Sequence, residues 1–272
     1  MTISTLDQLV DAMGNSAQRL VVNKASIASQ VAGGFTSLWR ATGTPAQGAT
    51  PAAAAVCTSA LTGAFGWTNP TSPARSYLSR LYLLSANSGT DVQFHDRLAH
   101  MGGLSGTVTT AQTANVDVSG STNNLTNRRG DSNYSDVQWW LEWYTATGAT
   151  AVTATVTYTN AAGTSGRTTT VSMAATVAAS RLLPIIGSGG EFIQSVQTVQ
   201  LSATTGTAGS FGVTATRGLG GISLGLANGG SVADWAGLGL PRVHDDACLF
   251  MVLVPTTTSS GALYGSAALI QG

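Results

Sequence analysis

The stretch from Val137 to Tyr158, VQWWLEWYTATGATAVTATVTY, constrains the fold of this chain more than any other. In its first half Val137, Trp139, Leu141 and Trp143 share one face, and Gln138, Trp140, Glu142 and Tyr144 share the other. In its second half Val152, Ala154, Val156 and Tyr158 alternate with Thr153, Thr155 and Thr157. Alternation of β-branched and aromatic residues with period two marks half-buried strands. The Thr/Gly-rich segment between the halves predicts a turn, so the stretch reads as a β-hairpin. Three of the six tryptophans fall within five residues here, each ring burying on the order of 200 Å², so the hairpin is expected to nucleate the core. Trp140 and Tyr144 require cover on the second face, from another sheet or another subunit.

Further strands are expected at 77–84, 92–97, 107–113 with 116–118, 168–173, 182–186, 192–201, 211–216, 249–254 and 263–270. Gly-rich turns such as AAGTSG and TTGTAGS separate them. Many short strands with almost no helix predict an all-β chain, a β-sandwich of jelly-roll type with an immunoglobulin-like sandwich as the alternative. The run CLFMVLV, apolar on both faces, belongs mid-sheet with cover on both sides.

The N-terminus is the exception. Leu6, Leu9, Val10, Met13, Ala17 and Leu20 recur at helical spacing, and Thr5 with Gln8 forms a capping box that satisfies backbone N–H groups at the helix start. From Gly33 to Pro73 the chain is rich in glycine and proline without a sustained period, which predicts an extended connector. The expected division is therefore 1–73, helix plus extended arm, and 74–272, β-sandwich. Candidate assembly contacts on the arm are Leu6, Leu9, Val10 and Met13 of the helix and Phe35, Trp39, Phe65 and Trp67 of the connector.

Charge sets limits on partners. Only 9% of residues are charged, with 12 Lys+Arg against 12 Asp+Glu, compared with about 25% charged in ordinary soluble domains. No basic field is available for nucleic acid or anionic lipid. No secretory signal and no apolar run of about 18 residues are evident, so neither nucleic acid nor membrane is an expected partner. Cys57 and Cys248 are expected to remain reduced thiols. Such a weakly charged surface suits packing against other proteins.

Chemistry-bearing motifs are sparse. Gly221-Ile222-Ser223-Leu224-Gly225 matches a nucleophile elbow, followed by Asp234 and His244, but the elbow requires a strand–turn–helix on a mostly parallel sheet. His244-Asp245-Asp246 has the His-x-Asp spacing of a facial triad, yet no histidine follows to complete it, leaving only His95 or His100 in reversed order. Arg129-Gly130-Asp131 lies in a polar loop. Accordingly no enzyme activity, metal or cofactor is expected.

The runs HDRLAHMGGLSGTVTTAQT (95–113), YTATGATAVTATVTYTNAAGTSGRTTT (144–170) and LYGSAALIQG (263–272), with the SLWRATG of the N-terminal region, resemble structural proteins of tailed bacteriophages and prophages. The resemblance implies a virion component and supplies no catalytic residues. The expected function is a non-enzymatic capsid cement or decoration protein on the capsid surface. Its partners would be the major capsid protein or other virion proteins and its own copies, as a homo-oligomer with a trimer favoured. The alternative is a tail, neck or head-fibre sandwich that contacts a receptor or carbohydrate, with Trp67, Trp235 and Tyr134 as candidate contacts.

Overall fold

Alternating burial along residues 18–24, 112–117 and 152–158, with runs buried on both faces at 94–100, 139–144 and 249–253, gives antiparallel sheets packed face to face. The computed structural model describes residues 3–272. In chain order its elements are α1 (Leu6–Asn15), β1 (Gln18–Lys24), β2 (Thr36–Ser37), β3 (Gly43–Thr44), β4 (Ala55–Val56), β5 (Ser76–Ser85), β6 (Thr90–Leu104) and β7 (Gln112–Asp117). There follow α2 (Leu125–Arg128), β8 (Val137–Thr145), β9 (Val152–Asn160), β10 (Arg167–Met173), β11 (Leu182–Ile185), β12 (Ile193–Leu201) and β13 (Ser210–Leu224). The chain closes with β14 (Gly230–Ala233), α3 (Trp235–Leu238), β15 (Arg242–Val243), β16 (Leu249–Val254) and β17 (Leu263–Gln271). The expected all-β class with an N-terminal helix is what the structure shows.

The chain forms two compact units. Unit 1 comprises Met1–Gly48, Thr58–Asp96 and Leu219–Gly272; unit 2 comprises Ala49–Cys57 and Arg97–Gly218. These units divide the chain differently from the 1–73 and 74–272 partition expected from sequence. The reason is local: β1 alternates cleanly, with Leu20, Val22 and Lys24 buried and Arg19, Val21 and Asn23 exposed, and takes a place inside a sheet of unit 1. The predicted helix accordingly stops at Asn15 instead of running to Leu20. Gly14 weakens its last turn, and β-branched Val21 and Val22 favour the strand.

Unit 2 is a two-sheet sandwich. One sheet has the order β10-β9-β12-β7; the other runs β11-β8-β13-β6, with β4 beside β6. The Val137–Tyr158 stretch is therefore not a hairpin: β8 and β9 lie in different sheets, and Ala146–Ala151 crosses between them. Trp139, Leu141 and Trp143 from β8 pack with Val152, Ala154, Val156 and Tyr158 from β9 in one core. Both apolar faces look inward across the sandwich, which hairpin pairing would not permit. Trp143 stacks on Phe211, centroids 5.4 Å apart. The expected strand pair at 107–113 and 116–118 is a single strand, β7.

Unit 1 is also a sandwich. Its sheet A has the order β14-β5-β17-β1-β3, with β15 on β5, and the facing strands run β13-β6-β16-β2. Leu20, Val22, Leu81, Leu83, Ala267 and Leu269 from sheet A meet Phe94, Leu249, Met251 and Leu253 in its core. The LFMVLV part of CLFMVLV forms β16, whose residues are buried throughout except half-buried Val254. Most of the connector belongs to this unit, held by its aromatics. Trp39 packs edge-on against Phe250, and Gly48 lies so close to its indole that a Cβ there would sit 2.2 Å from Cε2.

Candidate assembly surface

Sheet A has an inner face in the core and an outer face that is only partly covered. At one end, α1 and the α3 segment lie over it. Leu9 and Ala12 of α1 bury against Ile270, with Met13, Tyr77, Trp235 and Leu240 partly buried around them. The capping box expected at Thr5 and Gln8 is present. Ser16 ties the helix end to β17 by donating to the Gln271 carbonyl, 2.8 Å.

The other end of the same face is bare. Cross-strand register places Val232, Tyr82, Ser266 and Val21 in one row on β14, β5, β17 and β1. The next row holds Gly230, Leu84, Tyr264 and Asn23. Val232, Val21, Tyr264 and Tyr82 are between 41% and 53% exposed, although they are large apolar or aromatic side chains on adjacent strands. Leu226, in the β13–β14 turn, is 74% exposed. On the other side of the Tyr82 row, Arg19, Ala268 and Arg80 are aligned, and both arginines are exposed. A groove of about 460 Å³ runs between them and α1, lined by Met13, Ala17, Arg19, Arg80 and Tyr82 among others. The strands of sheet A contain no Asp or Glu.

Of the contacts expected from sequence, two point outward. Leu6 and Val10 are 62% and 56% exposed, while Leu9 is buried and Met13 half-buried beneath α1. The connector aromatics turn inward instead. Trp39 and Phe65 are buried, and Phe35 and Trp67 are half-buried. Phe65 packs on Phe94, and the Trp67 indole N–H donates to the Ala247 carbonyl, 3.0 Å. Their surface is thus unit 1 of the same chain. Sequence reasoning missed the exposed row on sheet A, although YLSRLYLL carried its signal: Arg80, Tyr82 and Leu84 share a face too polar at one end and too apolar at the other for plain solvent exposure.

A second feature, buried in unit 2, was also missed. The Arg97 guanidinium donates to Glu142 Oε2 at 2.5 Å, to Tyr144 Oη at 3.0 Å and to Thr214 Oγ1 at 3.2 Å, while its Nε donates to His100 Nδ1 at 2.9 Å. Both charged side chains are wholly buried. Burial lowers the guanidinium's proton affinity, and the Glu142 carboxylate more than reverses this, so Arg97 is held above its ordinary value. Burial, with the Glu142 charge, pushes the Tyr144 phenol up. Arg128 of α2 adds hydrogen bonds to the Cys57 and Arg97 carbonyls, at 2.7 and 3.0 Å. The network joins neighbouring strands β8, β13 and β6 and covers the even-numbered face of β8 from within the chain, helped by Trp140 donating to Thr216 at 2.9 Å. Enclosed in this way, it is built to hold strands rather than to meet a substrate.

The motif residues occupy structural positions. Ser223 lies within β13, not on an elbow, and its hydroxyl donates to Asp91. Asp234 caps α3, accepting from the Ala236 and Gly237 amides at 3.1 and 3.0 Å. Asp246 accepts from the Asn69 side chain, 2.9 Å. Arg129 donates to the Val118 carbonyl at 2.8 Å and stacks over Tyr134, while Asp131 accepts from Asn133 and Ser135, so the RGD side chains are tied into their own loop. Cys57 and Cys248 are buried and not joined in a disulfide. Among the described residues, no group of three or more His, Cys, Asp or Glu is arranged to hold a metal ion, and no helix is long and apolar enough to cross a membrane.

No known protein family and no curated protein matches this chain. Among solved structures, the VP2 subviral particle of infectious bursal disease virus aligns over 94% of this chain and 79% of its own, at 11% identity and a TM-score of 0.20. The T=1 particle of the same virus aligns over 94% and 77%, at 12% identity and a TM-score of 0.20. Scores this low carry no argument about fold or function.

Proposed function

We propose that the chain is a non-enzymatic structural protein of a virion, a capsid cement or decoration protein bound to the head shell and to its own neighbours. The observation that carries this reading is the bare half of sheet A. There, apolar and aromatic side chains from four adjacent strands form one contiguous outward patch, the kind of surface that marks an interaction site. The low charge density of the whole chain supports it, because little repulsion opposes close packing of copies. The resemblance of residues 95–113, 144–170 and 263–272 to tailed-phage structural proteins supports the virion setting. The local hydrogen bonding of Ser223, Asp234 and Asp246 supports a role without chemistry.

One observation favours a tail, neck or fibre protein that contacts carbohydrate. In unit 2, Phe192 is 47% exposed beside a groove of about 410 Å³ lined by Asn133, Asn160 and Glu191. Its polar groups are already engaged: Glu191 accepts from Asn160 at 2.9 Å, from Arg167 at 2.9 Å and from Tyr158. Trp67 and Trp235 are half-buried and Tyr134 is buried, so none offers an open stacking platform. The head reading is therefore preferred. Copy number in purified particles tests it. Hundreds of copies per particle are expected, and a few dozen or fewer would move the protein to the neck, tail tip or fibres.

A further inference from the structure

We infer that the bare half of sheet A receives helix α1 from a second copy of this chain, in a twofold dimer. The inference rests on reading this face as an assembly surface, and not on where in a particle the protein resides. Its basis is the match between two features side by side on one face of unit 1. The outward side of α1 presents Leu6 and Val10 as one pair spaced four residues apart, and Asp7 and Asp11 as another, all exposed. Residues at that spacing are neighbours on a helix. The helix has acidic residues and no basic ones. The bare sheet presents Val21, Tyr82, Val232 and Tyr264, fringed by Arg19 and Arg80, and no acid.

Apolar stripe therefore meets apolar row, and two carboxylates meet two guanidinium groups. No hydrogen bond or ion pair is formed by the side chains of Asp7, Asp11, Arg19 or Arg80 within the chain, among the described residues. Arg19 and Arg80 stand on either side of Ala268, roughly 10 Å apart at ordinary strand spacing. The small floor between them leaves the groove into which acidic side chains fit.

Symmetry follows from placement. Helix and bare sheet lie on the same face, so two copies meeting face to face about a twofold axis each cover the other's bare half, an isologous contact that closes. A threefold ring, the arrangement expected from sequence, needs donor and acceptor surfaces directed at different neighbours.

Sedimentation velocity of the full chain tests the proposal. Wild-type protein is expected to sediment at twice the 27.5 kDa chain mass in the micromolar range. Asp7→Lys with Asp11→Lys should weaken the dimer by about tenfold or more, since like charges would then face each other. Adding Arg19→Glu and Arg80→Glu should restore it. Tyr82→Glu, which leaves α1 untouched, should weaken it comparably, with circular dichroism and melting unchanged. A wild-type monomer at about 100 µM, a dimer indifferent to both kinds of substitution, a charge swap that fails to rescue, or a trimer would each overturn it. A monomer present at hundreds of copies per particle would fail this inference alone. A dimer present at a few copies would fail only the head-shell reading.

Discussion

The central strands β8 of unit 2 and β5 of unit 1 each bury one face in the core of their own unit and carry aromatic residues on the second, and they resolve that second face in opposite ways. On β8 the second face, Trp140, Glu142 and Tyr144, is closed over by the chain itself, with an arginine buried to neutralise the acid. On β5 the second face, Arg80, Tyr82 and Leu84, is covered only where α1 reaches. The difference lies in the polar groups each face carries. A buried carboxylate is tolerable only when paired and hydrogen-bonded, so Glu142 demands Arg97, Thr214 and Tyr144 around it. Nothing on the outer face of sheet A requires such enclosure, and half of it remains available to a partner.

The largest effects should appear in unit 2. Trp143→Ala should cost about 3–5 kcal/mol, because the indole is fully buried and stacked on Phe211. Glu142→Ala should cost a similar amount, about 3–5 kcal/mol, by depriving a buried guanidinium of its carboxylate. Denaturant melts measure both: a near-wild-type midpoint for Trp143→Ala would contradict its place in the core, and one for Glu142→Ala would remove the claim that the closed face depends on its buried ion pair.

Acid should separate the units. Burial pushes His95, in unit 1, down to about 4 from 6.5. Its unfolded form takes up a proton first, so the stability it confers is lost as pH falls from about 6.5 towards 4. In unit 2, hydrogen bonds from Tyr158, Asn160 and Arg167 hold Glu191 down at about 2 against 4.5, so its contribution is lost only as pH falls from about 4.5 towards 2. Hydrogen exchange across a pH series should show β5 and β17 losing protection before β9 and β12. His95→Phe should erase that early phase, and simultaneous loss in the wild type would contradict the assignment.

The smallest effect belongs to the bare row. Tyr82→Ser should change the stability of the isolated monomer by no more than about 0.5 kcal/mol, as expected of a side chain that lies exposed on the outer face of sheet A. A large loss would mean that Tyr82 belongs to the core after all.

Strand positions were largely legible, since β5, β8, β9, β12, β16 and β17 each announce themselves by alternation or by an apolar run. The cap at Thr5 was legible because a capping box is a local device. What failed was non-local. Turn-like residues between Thr145 and Val152 look the same whether the chain doubles back in one sheet or crosses to another. The helical spacing of Leu6 to Leu20 persists by coincidence into β1. Glu142 read as one member of an alternating face, and only the fold reveals the arginine, 45 positions away, that makes its burial tolerable. The exposed row on sheet A needs four strands to be seen whole, and β5 alone carries only its Arg80, Tyr82 and Leu84 part.

The pairing of β1 with β17 carries a consequence for how the molecule acquires its shape. Ser16 and Gln271, hydrogen-bonded at one end of this pair, are 255 positions apart, whereas unit 2 is assembled almost wholly from the continuous stretch 97–218. Contacts between distant segments form slowly, because the entropy of closing the intervening loop is lost before any pairing compensates for it. Unit 2 should therefore gain its order first, and sheet A should be completed last. Because the Tyr82 row exists only once β1, β5, β14 and β17 lie side by side, the patch is displayed only by molecules that have finished folding. Under the docking proposed above, order of formation acts as a proofreading step, admitting complete chains to the dimer and leaving partly folded ones without a docking face.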